Sequence, residues 1–103
     1  MDMKTRLAHT GVRSEKLTGS ISCPIYQVAM FQHPALGEST GFDYSRTINP
    51  TRKVLEEAIA QLEGGGRGFA FSSGMAAITS VLALFKTGDR IIVSDDLHGG
   101  TRC

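Results

Sequence analysis

The sequence predicts an α/β fold in which a strand, a helix and a second strand follow one another, with a further helix and a long extended arm before them. Three observations carry this expectation. Val54, Leu55, Ala58, Ile59 and Leu62 recur at the spacing of one helical face. Residues 68–72 and 90–94 are short apolar runs without polar alternation, as in strands covered on both faces. Between them, Met75, Ile78, Val81, Leu82 and Phe85 mark the buried side of a second helix, so the two runs should lie parallel with a right-handed crossover.

Length and composition bound the reading. A chain of 103 residues can hold one domain, or part of one, with a modest core. Apolar residues make up 41% and charged residues 20%, the balance of a folded chain, and a formal net charge of +1 provides no basic field for nucleic acid. Cys23 and Cys103 cannot build a framework of several bridges, and no second pair stands at zinc-ligand spacing, so free thiols and no metal are expected. Residues 1–17 carry charges throughout and lack the apolar core of a signal peptide, and no apolar run is long enough to span a bilayer. The expectation is a soluble cytoplasmic protein with no membrane partner.

In chain order, residues 4–11 read as a short helical turn closed by Gly11. Residues 20–31 mix β-formers with Pro24, which suits an extended arm better than a central strand. Residues 33–41 contain Pro34, Gly37 and Gly41 and read as loop. The arm carries Ile21, Ile25, Tyr26, Val28, Met30 and Phe31 with no local core to receive them, so it should lie on something else. A neighbouring subunit is the first candidate and a further part of the same chain the second; a loose terminus is the plain alternative. Asn49 is a suitable N-cap and Pro50 suits the first helical position, where its missing N–H is no loss. That helix runs to about residue 63 and stops at Gly64, Gly65 and Gly66. Ser73 and Gly74 turn the chain into the second helix, which Thr87, Gly88 and Asp89 end. Residues 95–103 lie beyond the carboxyl end of the second expected strand, the edge at which open α/β sheets bind ligands.

Two stretches form candidate halves of an anion site. Tyr44 and Arg46 are two residues apart, so in an extended segment a phenol and a guanidinium leave the same face. At 72–75 an apolar run meets a helix start, where Gly74 permits close approach and the N–H groups of Gly74 and Met75 point outward. Each has a plain reading: a surface tyrosine beside a solvated arginine, and an ordinary tight turn. The glycines at 64–68 follow a helix and precede a strand, the reverse of a dinucleotide fingerprint, and no Lys and Ser or Thr follow them as a Walker loop requires. Asp95 and Asp96 form no evident catalytic pair, and Cys23 has no histidine or cation beside it to make a reactive thiolate.

The joint pattern goes further. Y-S-R-T-I-N-P-T-R, a helix ending in L-E-G-G, then S-S-G-M-A-A-I and G-D-R-I-I-V-S-D-D-L-H-G-G-T resemble the amino-terminal part of the Cys/Met metabolism (transsulfuration) family of pyridoxal-phosphate-dependent enzymes. That family includes cystathionine γ-synthase, cystathionine γ- and β-lyases, methionine γ-lyase and the O-acylhomoserine sulfhydrylases. S-I-S-C-P-I-Y-Q-V-A-M-F is similar to the family's N-terminal arm.

The resemblance implies an aspartate aminotransferase-like fold. Residues 1–48 would be an arm and loop contacting a neighbouring subunit, and 49–103 the start of the large cofactor-binding domain. It implies pyridoxal 5'-phosphate as cofactor, an amino acid as substrate, γ- or β-elimination or replacement as reaction, and a homo-oligomer, a dimer or a tetramer of close dimers. Tyr44 and Arg46 would bind the phosphate of the neighbour's cofactor, and Gly74 and Met75 the phosphate within their own subunit. His98 stands where the family has a ring-stacking tyrosine, and imidazole offers less stacking area but still exchanges protons near neutral pH. Gly100 follows the synthase, γ-lyase and sulfhydrylase pattern. The family's Schiff-base lysine, its aspartate facing the pyridine nitrogen and its substrate-binding arginine lie downstream of residue 103, so the chain would be inactive alone. Lys53 and Lys86 match no lysine motif of the family. The competing class is a small non-catalytic module binding a phosphate-bearing ligand or a protein.

Overall fold

A computed structural model describes residues 1–12 and 15–102. Cys103, expected as a free thiol, lies outside the described residues; Cys23 is free and half-buried. The chain divides into two compact units, Met1–Phe69 and Ala70–Cys103.

The first unit is built on two helices, α1 (Met3–Ala8) and α2 (Pro50–Leu62). α1 realises the short turn expected near the amino terminus, and its Arg6 reaches the Gln61 carbonyl of α2 at 3.4 Å. Gly11 closes the connection with φ +73°, and a Cβ there would come within 3.1 Å of the Val54 side chain, so glycine serves both backbone shape and contact. α2 starts as its sequence dictates: the Asn49 side chain accepts from the Thr51 N–H at 2.9 Å, and Pro50 occupies the first turn. Gly64, with φ +66°, follows its last turn.

Residues 68–72 and 90–94, expected as strands, do not form a ladder; among the described residues the β-pairing is a single antiparallel bridge between Met30 and Tyr44. A parallel strand is satisfied by neighbours on its edges and cover on both faces. Among the described residues neither segment pairs into a strand ladder, and Ile92 is 99% exposed. The two apolar runs are surface suited to covering, whereas a ladder depends on partner strands that neither segment provides for itself.

The second unit contains α3 (Gly74–Leu82) and the one-turn α4 (Gly99–Arg102). Ser73 caps α3, its hydroxyl accepting from the Ala76 N–H at 3.1 Å. α3 ends at Leu82 rather than near Phe85, and the last residues turn through Ala83 and Leu84. The side expected to be buried is only half covered: Met75 and Ile78 are partly shielded, whereas Val81, Leu82 and Phe85 are exposed. α4 lies in the stretch 95–103 that the sequence places beyond the second expected strand, where no helix was expected. In α2 likewise Val54, Ala58 and Leu62 are partly covered while Leu55 and Ile59 face out, and Ala60, at 9% exposure, is the buried apolar residue among those described.

Candidate functional site

Tyr44 and Arg46 come together. An Arg46 Nη donates to the Tyr44 hydroxyl at 3.0 Å, and the guanidinium carbon lies 5.4 Å from the ring centroid. The convergence comes from a turn and not from the extended segment expected: the N–H groups of Thr47 and Ile48 both donate to the Tyr44 carbonyl at 3.0 Å. Both side chains remain exposed. The Tyr44 oxygen accepts from Arg46 and keeps its own proton for a second acceptor, while the guanidinium has further N–H groups to offer. A phosphate oxygen suits that donor set, because both charge and hydrogen-bond direction match it.

The turn is tied down on every side. The Ser45 N–H donates to the Ala29 carbonyl at 2.9 Å, the Phe31 N–H to the Asp43 carbonyl at 3.1 Å, and the Ser45 hydroxyl donates to the Val28 carbonyl. From the helix side, Asn49 Nδ2 donates to the Tyr26 carbonyl and to the Ser45 hydroxyl, each at 3.0 Å. The Thr51 hydroxyl donates to the Pro24 carbonyl and accepts from the Tyr26 N–H, both at 2.9 Å. The arm thus runs alongside the site segment and is stitched to it through the first turn of α2.

Arg52, Thr51 and the amide nitrogen of Asn49 are the residues that sequence reasoning missed. A signal was available. The first turn of α2 contains no acidic residue, yet Arg52 and Lys53 stand at its positive dipole end, where cations are disfavoured unless something else holds them. Arg52 points back to the turn, and Lys53 sits 3.7 Å from Glu57 and 5.6 Å from the Phe42 centroid.

In the second unit, Gly74 and Met75 open α3. The ladder begins with the Ala77 N–H donating to the Ser73 carbonyl at 3.2 Å, and Ser73 Oγ takes the Ala76 N–H, so the N–H groups of Gly74 and Met75 precede the helical bonding. A Cβ at Gly74 would meet nothing within 4 Å, so the space beside that residue is uncrowded. This end too suits an anion.

His98 stands just before α4. Its Nδ1 accepts from the Gly100 N–H at 3.2 Å and its carbonyl from the Thr101 N–H at 2.8 Å, so the imidazole caps the turn. An Nδ1 that accepts carries no proton, which leaves Nε2 as the ring nitrogen that can donate outward. Gly100 lies so close that a Cβ would be 3.3 Å from Met75 Sδ and 3.4 Å from the imidazole. Thr101 Oγ is 3.6 Å from the same sulfur, so the Met75 side chain is taken up by α4 while its backbone N–H opens α3. Asp95 pairs loosely with Arg102 at 3.6 Å. Among the described residues no group of three or more His, Cys, Asp or Glu could hold a metal ion, and no helix is long and apolar enough to cross a membrane.

A family model described as "Cys/Met metabolism PLP-dependent enzyme" matches residues 4–103. Cystathionine gamma-synthase/O-acetylhomoserine (thiol)-lyase of Bacillus subtilis (strain 168) is 60% identical over 96% of this chain and 26% of that protein. Cystathionine gamma-lyase of the same organism is 50% identical over 98% of this chain and 27% of its own length. The crystal structure of metB from Corynebacterium glutamicum superposes with a TM-score of 0.89 at 39% identity, covering 99% of this chain and 27% of that one. The chain spans about a quarter of the length of the relatives it matches.

Proposed function

The chain belongs to the Cys/Met metabolism family of PLP-dependent enzymes, and we propose that it supplies the arm and the phosphate-binding part of an enzyme acting on sulfur-containing amino acids. The reaction is γ- or β-elimination or replacement, as the names of the synthase and lyase relatives suggest. The observation that carries this reading is the pairing of the Tyr44 hydroxyl with the Arg46 guanidinium at 3.0 Å, which makes one exposed donor set of the right charge and spacing for a phosphate.

In this reading pyridoxal phosphate, when bound, provides the electron sink that acidifies the substrate α-carbon. The chain's own residues bind and orient. Tyr44 and Arg46 donate to the phosphate of a neighbouring subunit's cofactor in a homo-oligomer, and the N–H groups of Gly74 and Met75 donate to the phosphate held by their own subunit. His98 takes the ring-stacking position, with its Nδ1 engaged by the Gly100 N–H. The exposed apolar segments 68–72 and 90–94 and the outer faces of α2 and α3 fit a sheet and subunit contacts completed by other strands. Support comes from the apolar residues of the arm, Ile21, Ile25 and Met30 among them, which are 71%, 76% and 76% exposed.

Two measurements test the reading. Inorganic phosphate titrated into the 103-residue chain should shift the Arg46 side-chain N–H signal, and Arg46→Ala should abolish saturable binding; equal affinity in the two chains overturns the anion site. Borohydride treatment in the presence of pyridoxal phosphate should leave no stable adduct at a single lysine, and a stoichiometric adduct at Lys53 or Lys86 would show that the chain carries its own covalent site.

A further inference from the structure

We infer that Arg52 is a positioning residue for the phosphate-binding pair: it grips the backbone on both sides of Arg46 and so presents the Arg46 guanidinium together with the Tyr44 hydroxyl. One Nη donates to the Ser45 carbonyl at 3.1 Å and the other to the Thr47 carbonyl at 2.7 Å. These are the residues immediately before and after Arg46. The third nitrogen, Nε, lies 3.6 Å from a Glu56 carboxylate oxygen one turn along α2, with the two side chains 30% and 22% exposed. All three nitrogens of the guanidinium are therefore engaged with protein, and Arg52 acts on a ligand only through the turn it holds. The inference rests on the phosphate reading of Tyr44 and Arg46.

The chemistry requires arginine. Two carbonyls flanking one residue diverge, and a planar fork with donors on separate nitrogens reaches both, whereas an ammonium is a single point of attachment. The placement is otherwise unfavourable, since a cation in the first turn opposes the helix dipole. Glu56 at i+4 offsets that opposition and keeps the guanidinium folded back toward the helix start. On the other side of the turn, Asn49 Nδ2 holds the Ser45 hydroxyl at 3.0 Å, and the Ser45 N–H is bonded to the Ala29 carbonyl. Helix, turn and arm thus fix residues 45–47 from three directions, and Arg52 provides the contacts made to both neighbours of Arg46. Without it the Ser45 and Thr47 carbonyls turn to water, the turn samples more conformations, and ligand binding has to order Arg46 afresh.

The experiment uses the isotope-labelled 103-residue chain with inorganic phosphate as probe. Parent, Arg52→Gln, Arg52→Lys and Arg46→Ala are compared by the Arg46 side-chain signal or nearby amides, by heteronuclear NOE at 45–47, and by the amide signals of α2. In Arg52→Gln the phosphate dissociation constant should rise roughly 3- to 10-fold, the cost of ordering one more long side chain. The NOE at 45–47 should fall while the α2 amides from Val54 onward stay in place. Arg52→Lys should recover part of the affinity. Unchanged affinity and NOE in Arg52→Gln, with Arg46→Ala impaired, overturns the positioning role and spares the phosphate reading. Loss of the α2 amides in both Arg52 variants marks a folding residue and overturns it as well. Unchanged affinity in Arg46→Ala overturns the phosphate reading itself, while the NOE at 45–47 still decides whether Arg52 holds the turn.

Discussion

The Tyr44 hydroxyl accepts from an Arg46 Nη at 3.0 Å, so the phenol orients the guanidinium and keeps its own proton for another acceptor. In Tyr44→Phe this orientation and one donor disappear while the ring remains. The phosphate dissociation constant should rise by roughly fivefold, corresponding to about 1 kcal/mol for one exposed hydrogen bond. Titration with inorganic phosphate followed on the Arg46 signal measures it; an unchanged constant would show that the phenol contributes only its face.

Asn49 uses both ends of its amide, Oδ1 as the cap of α2 and Nδ2 as the tie to Tyr26 and Ser45. Asn49→Ala should cost about 1–2 kcal/mol through the lost cap alone. Asn49→Asp keeps the acceptor and improves the charge at the helix start, but removes both Nδ2 bonds. Far-UV circular dichroism should therefore show α2 retained in the Asp variant and frayed in the Ala variant. Amide exchange at the Ser45 segment should quicken in both.

Gly68 lies against the backbone of α2. A Cβ there would come within 2.4 Å of the Glu56 carbonyl oxygen and 3.2 Å of its carbon, and backbone cannot step aside as a side-chain tip can. Gly68→Ala should destabilise the first unit by about 1–3 kcal/mol, the usual range for overpacking. Urea unfolding followed by the helix signal provides the value. Gly66→Ala, where a Cβ would meet nothing within 4 Å, is the control and should leave the midpoint near that of the parent.

Glu15 closes a tight turn: its carboxylate accepts from the Thr18 hydroxyl, the Thr18 N–H and the Leu17 N–H. These bonds, the Thr18 hydroxyl first, hold its pKa below the ordinary 4.5. A carboxylate depressed in the folded chain stabilises the turn at all pH values above the ordinary one. That contribution is lost as pH falls through the lower folded value. The Thr18 amide signal should stay constant from neutrality down to about pH 5 and move only at more acid pH. A midpoint at or above 4.5 would contradict the carboxylate turn.

The helices were legible because their causes are local. Asn49, Pro50 and the apolar spacing that follows determine where α2 starts and which residues share a face, and Ser73 with Gly74 does the same for α3. The strands were not, because a ladder belongs to at least two segments. The apolar runs at 68–72 and 90–94 announce burial, yet what pairs with them is not written in either run. The end of α3 was misplaced by a few residues for a related reason, since an apolar periodicity can continue past the point where backbone bonding stops.

At the candidate site, sequence by itself determined the chemical kinds: a phenol and a guanidinium two residues apart, a capped helix start with open N–H groups, and an imidazole before a pair of glycines. Only tertiary structure decided how they are held. The turn at 44–48, the stitching of the arm to Thr51, the grip of Arg52 on Ser45 and Thr47, and the Nδ1 cap of His98 all place donors and acceptors by through-space geometry. A one-dimensional pattern records which groups can bond; it does not record which carbonyl comes within 3 Å of which nitrogen, because that distance is settled by the whole path of the backbone between them.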